Sequence, residues 1–284
     1  MSNSTFKSVL LFCLVYFLIS VNARPKNLTD DAEILSEKKR LFRSGHESEN
    51  DTLKNKNSNK TEIPTNFDWR DKKAVTSVKN QGECDNSDWA FAALGALETH
   101  LFLKNKTLVD LSPQELIDCS NQNGNYGCEG GDPRKAFHYI EDNGIQTEES
   151  YPFQGKNLKS CRKDLKGQKI AKNSTIILTK ITEKNETEMK RILVNGPILA
   201  VIDAYANSFI NYQGGIYYGK DCDKIGKHNV LIVGYGVTNT SRKEEFWIVK
   251  NSWGTDWGEE GYIRMARNRN TCGIASNATY IEIV

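Results

Sequence analysis

Ser87 and Asp88 stand where this chain could present a nucleophile. They precede Trp89 and an apolar run from Ala90 to Leu103, which predicts a buried central helix. Unpaired backbone N–H groups and the positive end of the helix macrodipole favour an anion at such a helix start. A cysteine at this point would therefore have a lowered thiol pKa and react as thiolate. The residues present are instead a serine and an aspartate.

Three segments resemble motifs of the papain family of cysteine peptidases, in its cathepsin L-like branch. Residues 81 to 91, Gln-Gly-Glu-Cys-Asp-Asn-Ser-Asp-Trp-Ala-Phe, resemble the family's Gln-Gly-x-Cys-Gly-Ser-Cys-Trp-Ala-Phe. Residues 228 to 236, His-Asn-Val-Leu-Ile-Val-Gly-Tyr-Gly, resemble its His-Ala-Val-x-x-Val-Gly-Tyr-Gly. Residues 251 to 258 match its Asn-Ser-Trp-Gly-x-x-Trp-Gly, and the resemblance extends over residues 63 to 284.

The resemblance implies a role for each residue of the site. His228 would be the general base, and Asn251 would orient its ring beneath Trp253. Gln81 would supply a side-chain donor to the oxyanion hole, and the inserted residue would displace the backbone donor. The nucleophile position falls on Ser87 when counted from the preceding cysteine and on Asp88 when counted back from the following tryptophan, since four residues stand where the family has three.

Several interpretations of this altered site remain open at the level of sequence. In the first, Ser87 and Asp88 cap the helix, peptidase activity is lost, and the cleft still binds peptides or proteins. In the second, Ser87, His228 and Asn251 form a triad that hydrolyses peptide bonds, with Asp88 competing for the histidine. A purely structural extracellular domain, or a sequence fault that hides an active cysteine, would also fit. The other three histidines, His46, His100 and His138, are interpreted as structural or as lying in a flexible segment.

The resemblance also implies a set of substrate-binding residues along a cleft. The segment Cys-Glu-Gly-Gly at residues 128 to 131 resembles a wall of the family's cleft, where glycine permits close approach of a peptide backbone. The pocket for the substrate's second side chain would be less apolar than is usual in the family. The full set is Gly130, Gly131, Asp132, Pro133, Ala204, Gly226, Asn229, Trp253 and Asn277.

Seven cysteines occur, and Cys13 lies in a predicted leader. The remaining six predict three disulfides in an exported chain, and spacing alone allows fifteen pairings. The resemblance implies the pairs Cys84–Cys128, Cys119–Cys161 and Cys222–Cys272. An active relative would carry one more, unpaired, thiol.

Three regions are expected. Residues 1–23 are predicted to be a signal peptide, because a lysine precedes an apolar core too short to span a bilayer. Residues 24–63 read as a short polar pro-segment or linker, and residues 64–284 as the papain-like domain. Export to the lysosome or the cell exterior makes four sequons glycan acceptors: Asn105, Asn173, Asn185 and Asn239.

The 38 basic and 36 acidic residues nearly balance, so we expect neither nucleic acid nor a membrane as partner. We expect a monomer without cofactor or metal that binds peptides or proteins, cystatin-like inhibitors among them.

The order of the predicted elements indicates an α+β fold with two lobes. Helices are predicted at residues 88–104, 113–119 and 133–143, and short strand-like runs follow after residue 170 with one helical insert at 186–195. The resemblance implies a helical first lobe and a β-rich second lobe with a cleft between them.

Overall fold

The computed structural model describes residues 62–158, 160–162, 165, 167–223 and 226–284. The predicted signal peptide and all but the last two residues of the predicted pro-segment lie outside the described residues. In the part of the chain that is described, no helix is both long enough and apolar enough to cross a membrane.

The four predicted helices are all present. They are α1 (Asp88–Asn105), α2 (Pro113–Cys119), α3 (Pro133–Asn143) and α4 (Glu186–Leu193), and a short helix α5 (Asn207–Ile210) that the sequence pattern did not predict follows them. Helix α4 ends two residues before its predicted end. Lys106 is the C-cap of helix α1, and its left-handed backbone lets its N–H bond to the carbonyl of Phe102.

The sequence Ser112-Pro113-Gln114-Glu115 predicts a capping box at the start of helix α2, and the structure forms half of it. The Ser112 hydroxyl accepts from the Glu115 backbone N–H at 3.0 Å, as an N-cap should. The Glu115 carboxylate does not complete the box. It accepts instead from the Tyr139 hydroxyl at 2.9 Å and the Gln146 backbone at 2.8 Å, which fastens helix α2 to helix α3 and to the chain beyond it.

The strands form one mixed sheet in the described residues. They are β1 (Phe67–Asp68), β2 (Ile176–Lys180), β3 (Ile198–Ile202), β4 (Ile216–Tyr217), β5 (His228–Val237), β6 (Glu245–Lys250), β7 (Tyr262–Ala266) and β8 (Ala278–Ile283). Their order is β2-β8-β3-β5-β6-β7-β4, with β1 paired to β5. Only β4 and β7 pair in parallel. The six longer strands lie within two residues of the runs that the sequence predicts as strands, which are residues 176–181, 198–202, 230–235, 246–250, 262–266 and 279–284. The two-residue strands β1 and β4 were not predicted.

Strand β5 lies between two apolar cores. Leu231 and Val233 belong to the core built around helix α1, whereas Val230 and Ile232 belong to the core on the other face of the sheet. This alternation follows from the period of two in a strand. Helix α1 approaches β5 closely at Gly95, where an added Cβ would meet the Leu231 side chain at 3.0 Å. This close approach holds helix α1 against strand β5.

The three predicted disulfides are confirmed, namely Cys84–Cys128, Cys119–Cys161 and Cys222–Cys272. Two of them fasten segments of the helical lobe, and the third joins segments of the β-rich lobe. Helices dominate the first half of the described chain and strands the second, so the predicted α+β architecture with two lobes is correct. The start of helix α1 faces the start of strand β5 across the boundary between the lobes.

Candidate active-site cleft

Asp88, one of the two candidates for the nucleophile position, lies at the boundary between the lobes. It is the first residue of helix α1, so its register is set by Trp89, whose fully buried indole donates to the Gly127 carbonyl at 3.1 Å. The side chain of Asp88 is buried and faces strand β5. Counting back from the tryptophan therefore leads to the residue whose side chain faces His228.

The carboxylate of Asp88 is held by two consecutive residues of β5. Its Oδ2 lies 2.8 Å from the His228 Nδ1, and its Oδ1 accepts from the Asn229 side-chain amide at 2.9 Å. Asp88 and His228 are each 5% exposed. The competition for the histidine that the sequence suggested is thus realised as a buried contact.

Asn251 orients the imidazole as the resemblance implies. Its Oδ1 lies 2.8 Å from the His228 Nε2 and also accepts from the Ser252 backbone at 2.8 Å, so the oxygen faces the ring. The Trp253 ring packs over the histidine with centroids 5.0 Å apart. Both ring nitrogens of His228 therefore face side-chain oxygen atoms, one of Asp88 and one of Asn251.

Ser87 lies away from this histidine. Its hydroxyl donates to the Cys84 carbonyl at 2.7 Å, its backbone N–H donates to the same oxygen at 3.0 Å, and the side chain is fully buried. Ser87 is the N-cap residue but makes no side-chain capping bond. The prediction that Ser87 and Asp88 cap the helix is therefore wrong. The Ser87 hydroxyl bonds to the Cys84 carbonyl, and the Asp88 carboxylate contacts side chains of strand β5.

The Gln81 amide is committed on both sides. Its Nε2 donates to the backbone carbonyl of Asp85, and its Oε1 accepts from the Ser252 hydroxyl at 2.6 Å. The backbone N–H of Gln81 also donates to the Ser252 carbonyl at 2.9 Å. The donor expected to face an oxyanion is thus bonded to the loop that carries the extra residue.

Two cavities flank the central contact. The larger, of about 650 Å³, adjoins Asp88 and His228 and includes Ala204 and Trp253 of the predicted substrate-binding set. The smaller, of about 260 Å³, is lined by five further members of that set: Gly131, Asp132, Pro133, Asn229 and Asn277. Gly130 and Gly226 line neither cavity. Gly226 instead lies against Val201, where a Cβ would meet the backbone at 2.6 Å.

Charged side chains stand at the rim of the smaller cavity. Asp132 pairs with Arg134 at 2.6 Å, and Lys227 lines the opposite side. Burial alone would raise the pKa of Asp132, but hydrogen bonds from the Arg134 side chain and backbone outweigh it and lower that pKa below its ordinary value. The carboxylate at the rim is therefore ionised across the physiological range.

Sequence reasoning did not foresee the contributions of five residues to the site. Asn229 was expected to line a pocket, and its bond to Asp88 had no signal in the motif. The motifs also did not indicate that the Asp85 carbonyl and the Ser252 hydroxyl would bond to the Gln81 side chain. Tyr205 is 60% exposed and Ile210 is 47% exposed, and both form an apolar rim of the larger cavity.

Comparison with known proteins gives consistent relatives. A family profile described as "Papain family cysteine protease" matches residues 63–282. Procathepsin L of Rattus norvegicus is 45% identical over 223 residues, covering 77% of this chain and 65% of that protein. Cathepsin L-like peptidase of Aedes aegypti is 46% identical over 223 residues, with 77% and 64% covered. The chain thus spans slightly less than two thirds of the length of these relatives.

Two solved structures share the fold. A cysteine protease of Carica candamarcensis in complex with E-64 has a TM-score of 0.69 and 36% identity, covering 78% of this chain and 99% of that chain. Bromelain from Ananas comosus in complex with the E64 inhibitor has the same TM-score and coverage at 35% identity. With the family motifs in order along a two-lobed α+β fold, the chain belongs to the papain family of cysteine proteases.

Proposed function

We propose that this chain is a cathepsin L-like protein of the secretory pathway that has no peptidase activity and uses its cleft to bind peptides or proteins. The observation that carries the proposal is the Asp88 carboxylate, which stands at the nucleophile position and contacts both His228 and Asn229. An aspartate there occupies the histidine nitrogen that would otherwise face a cysteine thiol.

The chemistry of the surrounding groups supports inactivity. A carboxylate is a poor nucleophile toward a peptide, and His228 is already paired on both nitrogens. One of the two N–H donors of the Gln81 amide is bonded to the Asp85 carbonyl, which competes with a tetrahedral intermediate for this side chain. Loss of one oxyanion-hole donor alone costs roughly 10²–10³-fold in rate.

The alternative, a hydrolase that uses Ser87, draws no support from the geometry. A serine nucleophile needs its hydroxyl within hydrogen-bond reach of the base. The Ser87 hydroxyl is bonded to the Cys84 carbonyl, and the nitrogen that would take its proton faces Asp88.

A binding role is supported by the cleft itself. The cavity of about 650 Å³ beside Asp88 has Tyr205 and Ile210 exposed at its rim. Exposed aromatic and aliphatic side chains beside a concave site are typical of surfaces that bind protein partners. Cystatin-like inhibitors, which enter clefts of this family, are the partner class we propose, with the chain acting as a monomer without metal or cofactor.

The proposed cellular route depends on the leader and the cysteines. Three disulfides fit an oxidising compartment, and residues 1–23 fit a cleaved signal peptide. We therefore propose a lysosomal or extracellular location, with residues 24–63 as a short pro-segment or linker and residues 64–284 as the folded domain.

The proposal is tested on the protein purified from a secreting eukaryotic host. Fluorogenic dipeptide substrates should show no turnover above buffer, and a cystatin should bind measurably by calorimetry. Turnover that is lost in Ser87→Ala would establish the serine hydrolase instead. A free thiol labelled on the folded, non-reduced protein would contradict the absence of a catalytic cysteine, since all six cysteines of the domain are paired.

A further inference from the structure

Asn277 begins a glycosylation sequon at the edge of the cleft. Residues 277 to 279 read Asn-Ala-Thr, which is an acceptor for N-linked glycan in an exported protein. Asn277 directly precedes strand β8 and is exposed, whereas Ala278 beside it is buried. Thr279 is fixed by pairing with Leu199 in strand β3. The acceptor side chain therefore projects from a rigid strand start.

The same asparagine lines the smaller cavity of the cleft. Gly131 and Pro133 of the helical lobe form one wall of this cavity of about 260 Å³, and Asn277 and Thr279 of the β-rich lobe form another. Asn229, which also lines it, holds the Asp88 carboxylate. A group attached to Asn277 would therefore stand beside the centre of the site.

The lining of the cavity suits a sugar better than an apolar side chain. Asp132, Arg134, Lys227 and Asn229 supply ionised or amide groups around it. Sugar hydroxyls both donate and accept hydrogen bonds, so they can pair with such a mixture of donors and acceptors.

We propose that Asn277 carries an N-linked glycan whose first sugars occupy this cavity and close one half of the cleft. The inference rests on the proposed secretory route. The glycan is added to the chain before it folds, so the narrow folded cavity is no barrier to attachment. The larger cavity, with Tyr205 and Ile210 at its rim, stays open. A protein partner would then engage the cleft from that side alone.

The first test measures occupancy of the sequon. The full chain is secreted from a eukaryotic host, digested, and its glycopeptides are identified by mass spectrometry. We expect glycan on Asn277 in most molecules, and an unmodified Asn277 would overturn the proposal. Two variants remove the sequon in different ways: Asn277→Gln removes the acceptor, and Thr279→Val keeps the asparagine and the branched shape that the strand requires.

The second test measures whether the glycan fills the cavity, and it needs no ligand. Lys227 is exposed at the cavity rim. Its labelling by an amine-reactive reagent should be at least several-fold slower in the wild type than in Asn277→Gln or Thr279→Val. The exposed Lys243 serves as an internal control, and Asn239→Gln, which removes an exposed sequon elsewhere, should label like the wild type. Equal Lys227 rates in all proteins would overturn the proposal.

Failure of the proposed function would be recognised separately. Peptide hydrolysis by the glycosylated wild type would contradict the proposed inactivity without changing the occupancy or the labelling of Lys227. Conversely, an empty Asn277 in an inactive protein would overturn only the glycan inference.

Discussion

The two sides of the cleft differ in how far they keep the geometry of a cysteine protease. On the β-rich side, His228, Asn251 and Trp253 make the contacts that orient a catalytic imidazole. On the helical side, the Asp85 carbonyl accepts from the Gln81 amide, and the Asp88 carboxylate faces His228 at the position that we propose for the nucleophile. We therefore propose that the groups that orient the histidine are kept, whereas the reacting group and its oxyanion donor are changed.

The residues around His228 therefore contribute to the packing of the fold as well as to the chemistry of the site. His228 and Asn251 lie at the ends of the central strands β5 and β6, and the Trp253 ring packs against Phe209 and Trp257. Changing them would disturb a buried cluster. The loop before helix α1 is tied at Cys84 and at the helix, so residues between these points can change at lower cost to stability.

The largest effect is expected from restoring the helical side. Asp88→Cys puts a thiol at a helix start beside His228, where its pKa should fall below the ordinary value of about 8.5. Adding a deletion of Asp85 frees the Gln81 amide. We expect peptidase activity in the double variant, with kcat about 10²–10³-fold above that of Asp88→Cys alone. Hydrolysis of a fluorogenic dipeptide and the pH profile of thiol alkylation measure the two parts.

The matched control is deletion of Asp85 alone, which should stay inactive because it supplies no thiol. If the thiol of the double variant alkylates rapidly but the variant does not hydrolyse the dipeptide, the residues of the β-rich side do not support catalysis as their contacts imply. If the thiol alkylates only near its ordinary pKa, the contact with His228 does not form in that variant.

The fold and the histidine side could be predicted from the sequence because they depend on local patterns. The alternation in strand β5 and the apolar run of helix α1 identify buried faces, and the family motifs gave the disulfide pairs that the structure confirms. The choice between Ser87 and Asp88 could not be made. It depends on which end of the loop absorbs the extra residue, and Trp89 decides that through its packing beneath Gly131.

The wrong capping prediction has the same origin. Serine before an apolar run is a good capping signal, as Ser112 shows at helix α2. At Ser87, the turn that begins at Cys84 brings a carbonyl within reach of the hydroxyl, and that bond replaces the cap. Local propensity cannot foresee a competing acceptor supplied by the path of a disulfide-tied loop.

His100 offers a second contact between helix α1 and the strands, and it sharpens the comparison with His228. Its ring packs against Tyr280 and Gly196, its Nε2 is buried without a partner, and burial lowers its pKa to about 4. The unfolded chain binds this proton near pH 6.5, so stability is full above that pH and is lost as the pH falls toward 4. We expect the free energy of unfolding to fall by about 3 kcal/mol as the pH is lowered from about 6.5 to about 4.

Chemical denaturation at several pH values measures this slope. His100→Gln should flatten it whatever its stability at neutral pH, whereas His138→Gln, with a side chain 63% exposed, should leave it unchanged. An unaltered slope in His100→Gln would mean that other groups account for the acid sensitivity.

Asn229→Ala tests whether the Asp88 contact stabilises the site. The variant removes the donor to Asp88 Oδ1 and leaves part of a buried carboxylate unpaired. Hydrogen bonds to charged groups contribute about 1.5–3 kcal/mol, so we expect a loss of about 2 kcal/mol in the free energy of unfolding. Asn211→Ala, which removes an exposed side-chain bond to a backbone carbonyl, is the matched control and should cost less. Equal losses would show that the carboxylate is solvated rather than held.

Ser87→Ala should give the smallest effect and separates the two interpretations of this serine. The hydroxyl makes one neutral hydrogen bond to the Cys84 carbonyl, which still accepts from the backbone N–H at position 87 after the change. We expect a loss of about 1 kcal/mol in stability, no change in cystatin binding, and no peptidase activity in either the variant or the wild type. In the Asp88→Cys background with Asp85 deleted, the same substitution should leave kcat within a few-fold, since the thiol and not the hydroxyl faces His228. A large loss of kcat there would place Ser87 in the reacting group and reverse the assignment of the nucleophile position.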